Sequence, residues 1–157
     1  MCQSRQAPKL CFPAHTAPLD IKFNANGTAA YVPFHGSWNK SPADGFRLSR
    51  VAFNPATGMP VDASTSTTAA VNIMVCTPPF PSSFTSLRLR SFSMSWRSSP
   101  QRRPGLTRNE QWNANTAACP NRCFRPVNVV FGTAGLSSRL FMTSDTTNEI
   151  WVIGGAT

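Results

Sequence analysis

The sequence predicts an all-β protein, and within that class an incomplete β-propeller. Three observations point there. Fourteen prolines and nine glycines in 157 residues, with many Ser and Thr, leave little room for long helices. Short apolar or alternating runs recur between clusters of turn residues, as half-buried strands require. The order strand, Gly turn, aromatic strand, polar turn, strand then occurs twice, in a unit of about 40–50 residues, the period of propeller blades. Two such units cannot close a ring, so they read as part of one, with an insertion between them.

The elements follow in order. Residues 1–14 read as a truncated connection into the first unit, residues 15–74. There Leu19-Asp-Ile-Lys-Phe23 alternates apolar and polar residues, and Asn24-Ala-Asn-Gly27 supplies a turn. Ala29-Ala-Tyr-Val-Pro-Phe34 follows as a buried strand. Phe46–Phe53 alternates again and ends at Asn54-Pro55 and Gly58. Residues 75–111 show no sustained period of 2.0 or 3.6 and are rich in Arg, Ser and Pro, so they read as a disordered insertion. In the second unit, residues 112–153, the strands are Val127–Phe131, Arg139–Thr143 and Glu149–Ile153. Residues 154–157, Gly-Gly-Ala-Thr, read as the start of a linker.

The net charge of +9 would raise nucleic acid or an acidic surface as a partner if it were spread over the domain. It is not. Six arginines (Arg88, Arg90, Arg97, Arg102, Arg103, Arg108) against Glu110 put +5 of it into residues 75–111. No run approaches 18 apolar residues, so no membrane span is expected. Cys119-Pro-Asn-Arg-Cys123 lacks zinc-like spacing and histidine partners; a disulfide fits it better, and Cys2 with Cys11 offers a second. Disulfides imply an oxidising compartment, yet Met1–Gln6 has no apolar signal core. The expectation is a secreted parent protein whose own N-terminus lies upstream. Asn26-Gly-Thr28, in a predicted turn, is the favoured glycosylation site, and Asn39-Lys-Ser41 the disfavoured one.

Two places carry candidate chemistry. Phe34-His35-Gly36-Ser37-Trp38-Asn39-Lys40 sets a titratable ring, an indole, an amide and a cation just after a strand, where a fixed backbone can present ligand groups. The alternative is a structural turn in which His35 bonds backbone. Arg125 precedes a proline and a strand, and offers a planar fork for a carboxylate or phosphate, or else a surface ion pair. With two histidines and no nucleophile elbow, Ser/His/Asp catalysis has few candidates.

Pro13-Ala-His-Thr-Ala-Pro-Leu-Asp-Ile-Lys-Phe23, Phe34–Lys40 and Gly45–Leu48 resemble the penultimate stretch of the glucose/sorbosone dehydrogenase family. Cys119–Val127 and Arg139–Val152 resemble its last stretch. The similarity is greatest to the fungal sorbosone or pyranose dehydrogenases, and these motifs span residues 15–74 and 112–153. The resemblance implies a six-bladed propeller that binds pyrroloquinoline quinone (PQQ), with calcium nearby, and oxidises a sugar by hydride removal while passing electrons to an acceptor. It makes His35 and Arg125 the first candidates for cofactor contacts, with Trp38 and Asn39 behind them. His15 is either near the channel or structural. No catalytic residue and no metal ligand is expected here, because the family's catalytic histidine and calcium site belong to earlier blades. Lys40 stands where an arginine is expected, and Asn128 where a glycine is usual.

The family pattern would join Met74 to Trp112, which suggests that residues 75–111 are a translated intron. Val75 and Gln111 fit intron-border codons, and Leu106-Thr107 fits a branch point. With only about the last two blades of that propeller present, and cofactor binding needing groups from several blades, this chain alone is expected to be inactive. Two other function classes stand beside the enzyme: a non-catalytic propeller remnant used for interaction, and, less favoured, an Arg-rich segment that binds single-stranded nucleic acid through charge and its aromatics.

Overall fold

The computed structural model describes residues 6–75, 89–92, 123–146 and 148–156, with backbone only for 89–92. Among these residues there is no α-helix; nine strands form two sheets. The first sheet holds β1 (Lys22–Phe23), β2 (Ala29–Phe34), β3 (Arg47–Asn54), β4 (Met59–Pro60) and β5 (Ala70–Val75). All its pairings are antiparallel, and β3 bonds β2 on one side and both β4 and β5 otherwise. In the second sheet β6 (Leu89–Phe92), β9 (Glu149–Gly154), β8 (Arg139–Ser144) and β7 (Pro126–Phe131) lie in that order.

Side-chain alternation explains why β2 buries all six of its residues. Ala29 and Tyr31 face a core shared by the two sheets, which also takes Phe46 and Leu48 from the first and Phe124, Val129, Leu140, Met142, Trp151 and Ile153 from the second. Val32 and Phe34 face the other way, against Val51 and Ala70, and the N-terminal segment covers them with Leu10 and Phe12. Phe12 meets Phe34 edge-on at 5.1 Å between ring centres. Each large side chain so buried stabilises the fold by about 1.5–3 kcal/mol. Because the larger core draws on both sheets, β7 lies against β2 and β1. The Val129 amide also donates to Asp20 Oδ2 at 3.1 Å, a polar tie across the same seam.

The turn between β1 and β2 forms as its residues dictate. The Gly27 amide donates to the Asn24 carbonyl at 3.1 Å, Asn24 Oδ1 accepts from the Ala29 amide, and Gly27 adopts φ +69°.

Three readings need correction or addition. The expected strand Leu19–Phe23 is reduced to Lys22–Phe23 plus a single bridge between Pro18 and Phe34. Leu19, Ile21 and Phe23 do alternate, but they are 52%, 49% and 48% exposed, so no core face draws the whole run into the sheet. The insertion is not wholly without structure: Leu89–Phe92 is a strand that pairs in parallel with β9. An edge strand offers unpaired N–H and C=O groups to any nearby extended segment, so four residues can pair there without an extended sequence period. Strand β5 escaped notice because Ala-Val-Asn-Ile-Met-Val keeps no alternation, and its register against β3 shifts between Leu48 and Ser49. The two sheets otherwise share an antiparallel meander, β2-β3-β5 in one and β7-β8-β9 in the other.

The register shift in β7 between Pro126 and Val129 leaves Asn128 exposed, which gives its side chain room where a glycine was expected. Gly154 ends β9, and Ala156 is buried with its amide donating to the Ser138 carbonyl.

Candidate functional site

Strand β2 ends at Phe34, and residues 35–46 return the chain to β3. Backbone bonds fix the start of this loop: the His35 amide donates to the Ala17 carbonyl (2.9 Å), Gly36 to Thr16 (3.1 Å) and Ser37 to Asp44 (2.7 Å). Gly36 and Gly45 sit at φ +99° and +100° and touch. A Cβ on Gly45 would lie 2.5 Å from Gly36 Cα, and one on Gly36 would lie 2.5 Å from the Phe46 ring. Only glycine fits either position.

Inside the loop Asp44 is the organising anion. Its Oδ2 accepts from Lys40 Nζ at 2.8 Å; its Oδ1 accepts from the Gly45 amide at 2.7 Å and from Arg47 Nη1 at 3.1 Å. Arg47 is fully buried and stacks over the Phe34 ring at 4.5 Å. Burial, the strongest single influence on Asp44, works to raise its pKa, but Lys40, the Gly45 amide and Arg47 together hold it below the ordinary carboxylate value. Burial is also the main influence on Arg47 and lowers its pKa despite Asp44.

At the seam the two sheets meet through side chains. His35 Nε2 lies 3.0 Å from Asp145 Oδ2, across 110 residues of sequence. Arg125, at the entry to β7, donates from Nη2 to the Gly36 carbonyl (3.2 Å) and from Nε to the His35 carbonyl (3.4 Å), and its guanidinium lies 5.6 Å from the Phe46 ring centre. Arg125 and Asp145 are themselves tied: the Asp145 amide donates to the Arg125 carbonyl, and the Arg125 amide donates to Ser144 Oγ. Burial would raise the pKa of Asp145; the bond to His35 and its charge, the Thr146 hydroxyl and the Arg125 charge outweigh it, so the carboxyl sits below its ordinary value. At neutral pH Asp145 is therefore an acceptor only, and Nε2 of His35 must be the donor.

Of the residues singled out from the sequence, the fold brings His35 and Arg125 together. Arg125 uses two of its donors on backbone, so it braces the His35 loop as well as offering charge. Trp38 is 86% exposed at the loop's tip, and Asn39 is exposed beside it. His15 is exposed at a turn with φ 64° and makes no side-chain bond among the described residues. Asp145 was missed because Ser144–Asn148 reads as an ordinary polar turn; only the pairing of sheets puts it on His35. Asp44 had a local signal, four residues after Lys40 and three before Arg47.

Cys123 is fully buried and disulfide-bonded, two residues before Arg125. Its expected partner Cys119 lies outside the described residues. Cys11 is a free, exposed cysteine, which overturns the Cys2–Cys11 pairing. Asn26 is exposed in its turn, with Oδ1 accepting from the Thr28 hydroxyl at 2.7 Å. A cavity of about 580 Å³ between Leu10–Pro13, Lys40, Asp44 and residues 66–70 is lined by none of the four candidate cofactor residues.

The chain resembles known proteins over more of its length than the motifs above. The PQQ-dependent sugar dehydrogenase of Hypocrea jecorina is 37% identical over 146 residues, 93% of this chain and 23% of that protein. The PQQ-dependent pyranose dehydrogenase of Coprinopsis cinerea is 32% identical over 147 residues, 93% of this chain and 16% of that protein. The chain thus spans under a quarter of the length of these relatives. Among solved structures, the iodide form of the Trichoderma reesei enzyme of Carbohydrate-Active Enzymes Family AA12 superposes with a TM-score of 0.65 at 36% identity, covering 96% of this chain and 28% of that one. The holo PQQ domain of Coprinopsis cinerea pyranose dehydrogenase gives 0.59 at 27%, covering 96% and 30%. A family model described as TrAA12-like matches residues 1–101 and 97–156, and the chain belongs to that family.

Proposed function

We propose that this chain supplies two blades of a six-bladed, PQQ-dependent sugar dehydrogenase, acts only with the remaining blades, and contributes cofactor contacts through His35 and Arg125. The observation that carries this reading is the seam cluster, in which residues 90 and 110 apart are held within one set of hydrogen bonds. The donor set suits an anionic planar cofactor: Arg125 is a fixed cation, His35 a ring nitrogen donor or acceptor, and Trp38 an exposed flat face. Asp145 is the wrong charge for such a ligand, but His35 and Arg125 already satisfy it. When bound, PQQ supplies the two-electron acceptor for sugar oxidation. This chain's part is to hold and orient: Arg125 fixes the backbone of residues 35–36, and Asp145 holds the His35 ring. Trp38 and Asn39 form the rim. The general base and calcium are assigned to blades outside this chain, the electron acceptor to a separate partner, and the parent protein to the extracellular space, with a glycan on Asn26.

Residues 75–111 are assigned to a retained intron. Their composition and clustered arginines support this, as does the meeting of the two family-model matches at residues 97–101, inside the segment. The similarity to relatives over 93% of the chain weighs against it.

Full-length sequencing of the spliced transcript is the test. A message that adds upstream blades and drops codons 75–111 supports the reading, and its product should bind PQQ and oxidise pyranoses while residues 1–157 alone do neither. A message encoding only these 157 residues would reduce the chain to a non-catalytic remnant.

A further inference from the structure

We propose that Asp145 is a positioning residue for His35: its carboxylate accepts a hydrogen bond from Nε2–H, which keeps the proton on that nitrogen and leaves Nδ1 as the ring atom that meets a ligand. The assignment rests on the reading of His35 as a cofactor or substrate contact, but its geometry does not depend on which ligand binds.

Three observations combine. The Nε2–Oδ2 distance of 3.0 Å is that of a full hydrogen bond, and a carboxylate can only accept. The His35 backbone cannot drift from this contact, because its amide is bonded to Ala17 and the carbonyls of residues 35 and 36 to Arg125. Asp145 is in turn held by its amide on the Arg125 carbonyl, so the backbones that carry the carboxylate and the guanidinium are tied together. The ring is thus gripped from both ends, yet its side chain keeps 20% of its surface open, and no other described residue bonds it. A carboxylate on one imidazole nitrogen fixes the tautomer and aims the other nitrogen outward. The open nitrogen, Nδ1, can accept from a sugar hydroxyl when the ring is neutral, or donate to a carboxylate or quinone oxygen when it is charged.

The test is the ¹⁵N spectrum of the imidazoles, which needs no cofactor. The chain has only two histidines, so His15→Gln assigns the signals. At about pH 9, where an ordinary imidazole is neutral, His35 should be almost wholly Nε2-protonated. Asp145→Asn keeps an acceptor oxygen and should keep that tautomer; Asp145→Ala should give a mixture. A chain carrying the Nδ1–H form at His35, or one whose tautomer is unchanged in Asp145→Ala, overturns the assignment. Should the 157 residues give no dispersed spectrum, the same labelling and variants in the complete protein decide it. There, equilibrium dialysis of PQQ should show about 10-fold weaker binding for Asp145→Ala and a smaller loss for Asp145→Asn. The expected tautomers with no PQQ binding at all would support the positioning role and sink the cofactor reading.

Discussion

Two charged clusters flank the same loop and differ in every respect that matters for their role. The Lys40–Asp44–Arg47 cluster is local, within seven residues, and its carboxylate and guanidinium side chains are 9% and 0% exposed. The His35–Asp145–Arg125 cluster joins distant segments, and its carboxylate side chain is 55% exposed. In the first, a buried carboxylate and guanidinium satisfied within a few residues shape the backbone, and Lys40 and Asp44 also line the cavity beside residues 10–13. A partly open cluster at the meeting of two sheets can change partners when a ligand arrives. The contrast fits a mainly structural role for the first and, in the reading proposed above, a binding role for the second.

Removing the anion from each cluster is the strongest way to break that contrast. Asp44→Ala leaves two cations without it, one of them buried, and should destabilise the fold by about 3–5 kcal/mol. Asp145→Ala, at an exposed pair, should stay within about 1 kcal/mol. Urea unfolding of both variants measures the difference, and equal losses would erase it.

Acid should separate the clusters more gently. Both carboxyls are held below their ordinary value. Each therefore stabilises the fold above an unfolded pKa of about 3.9 and loses that contribution as pH falls through its lower folded value. Stability should decline below about pH 4, and Asp44→Asn should flatten that decline more than Asp145→Asn. Unfolding curves recorded across the acid range would show it. The smallest expected effect is at the loop's tip: Trp38→Ala should change stability by less than about 0.5 kcal/mol. In the complete protein it should still weaken PQQ binding, and a variant that leaves binding intact would remove Trp38 from the site.

The sequence was informative where the physics is local. Strands β2, β3, β8 and β9 announce themselves by apolar runs between turn residues, and the Asn24–Gly27 turn by its side chains. Strand β6 and the brevity of β1 depend on what lies alongside, which no local pattern encodes. The same divide runs through the site. His35 and Arg125 stood out as residue types in unusual company, and the resemblance to a family sharpened both. Asp145 is defined only by a contact spanning 110 residues. The bracing of Arg125 on two carbonyls likewise depends on one sheet docking on the other.

The contact between Gly36 and Gly45 bears on how this loop can be engineered. With both residues at positive φ and no space for a methyl group, a saturation library at positions 36 and 45 should return few folded clones. Two and three residues further on, Trp38 and Asn39 face solvent and should accept most side chains. The loop is thus rigid at its root and permissive at its tip. Randomising positions 38 and 39 should therefore leave the fold intact, so that any change it makes in ligand binding can be read apart from stability.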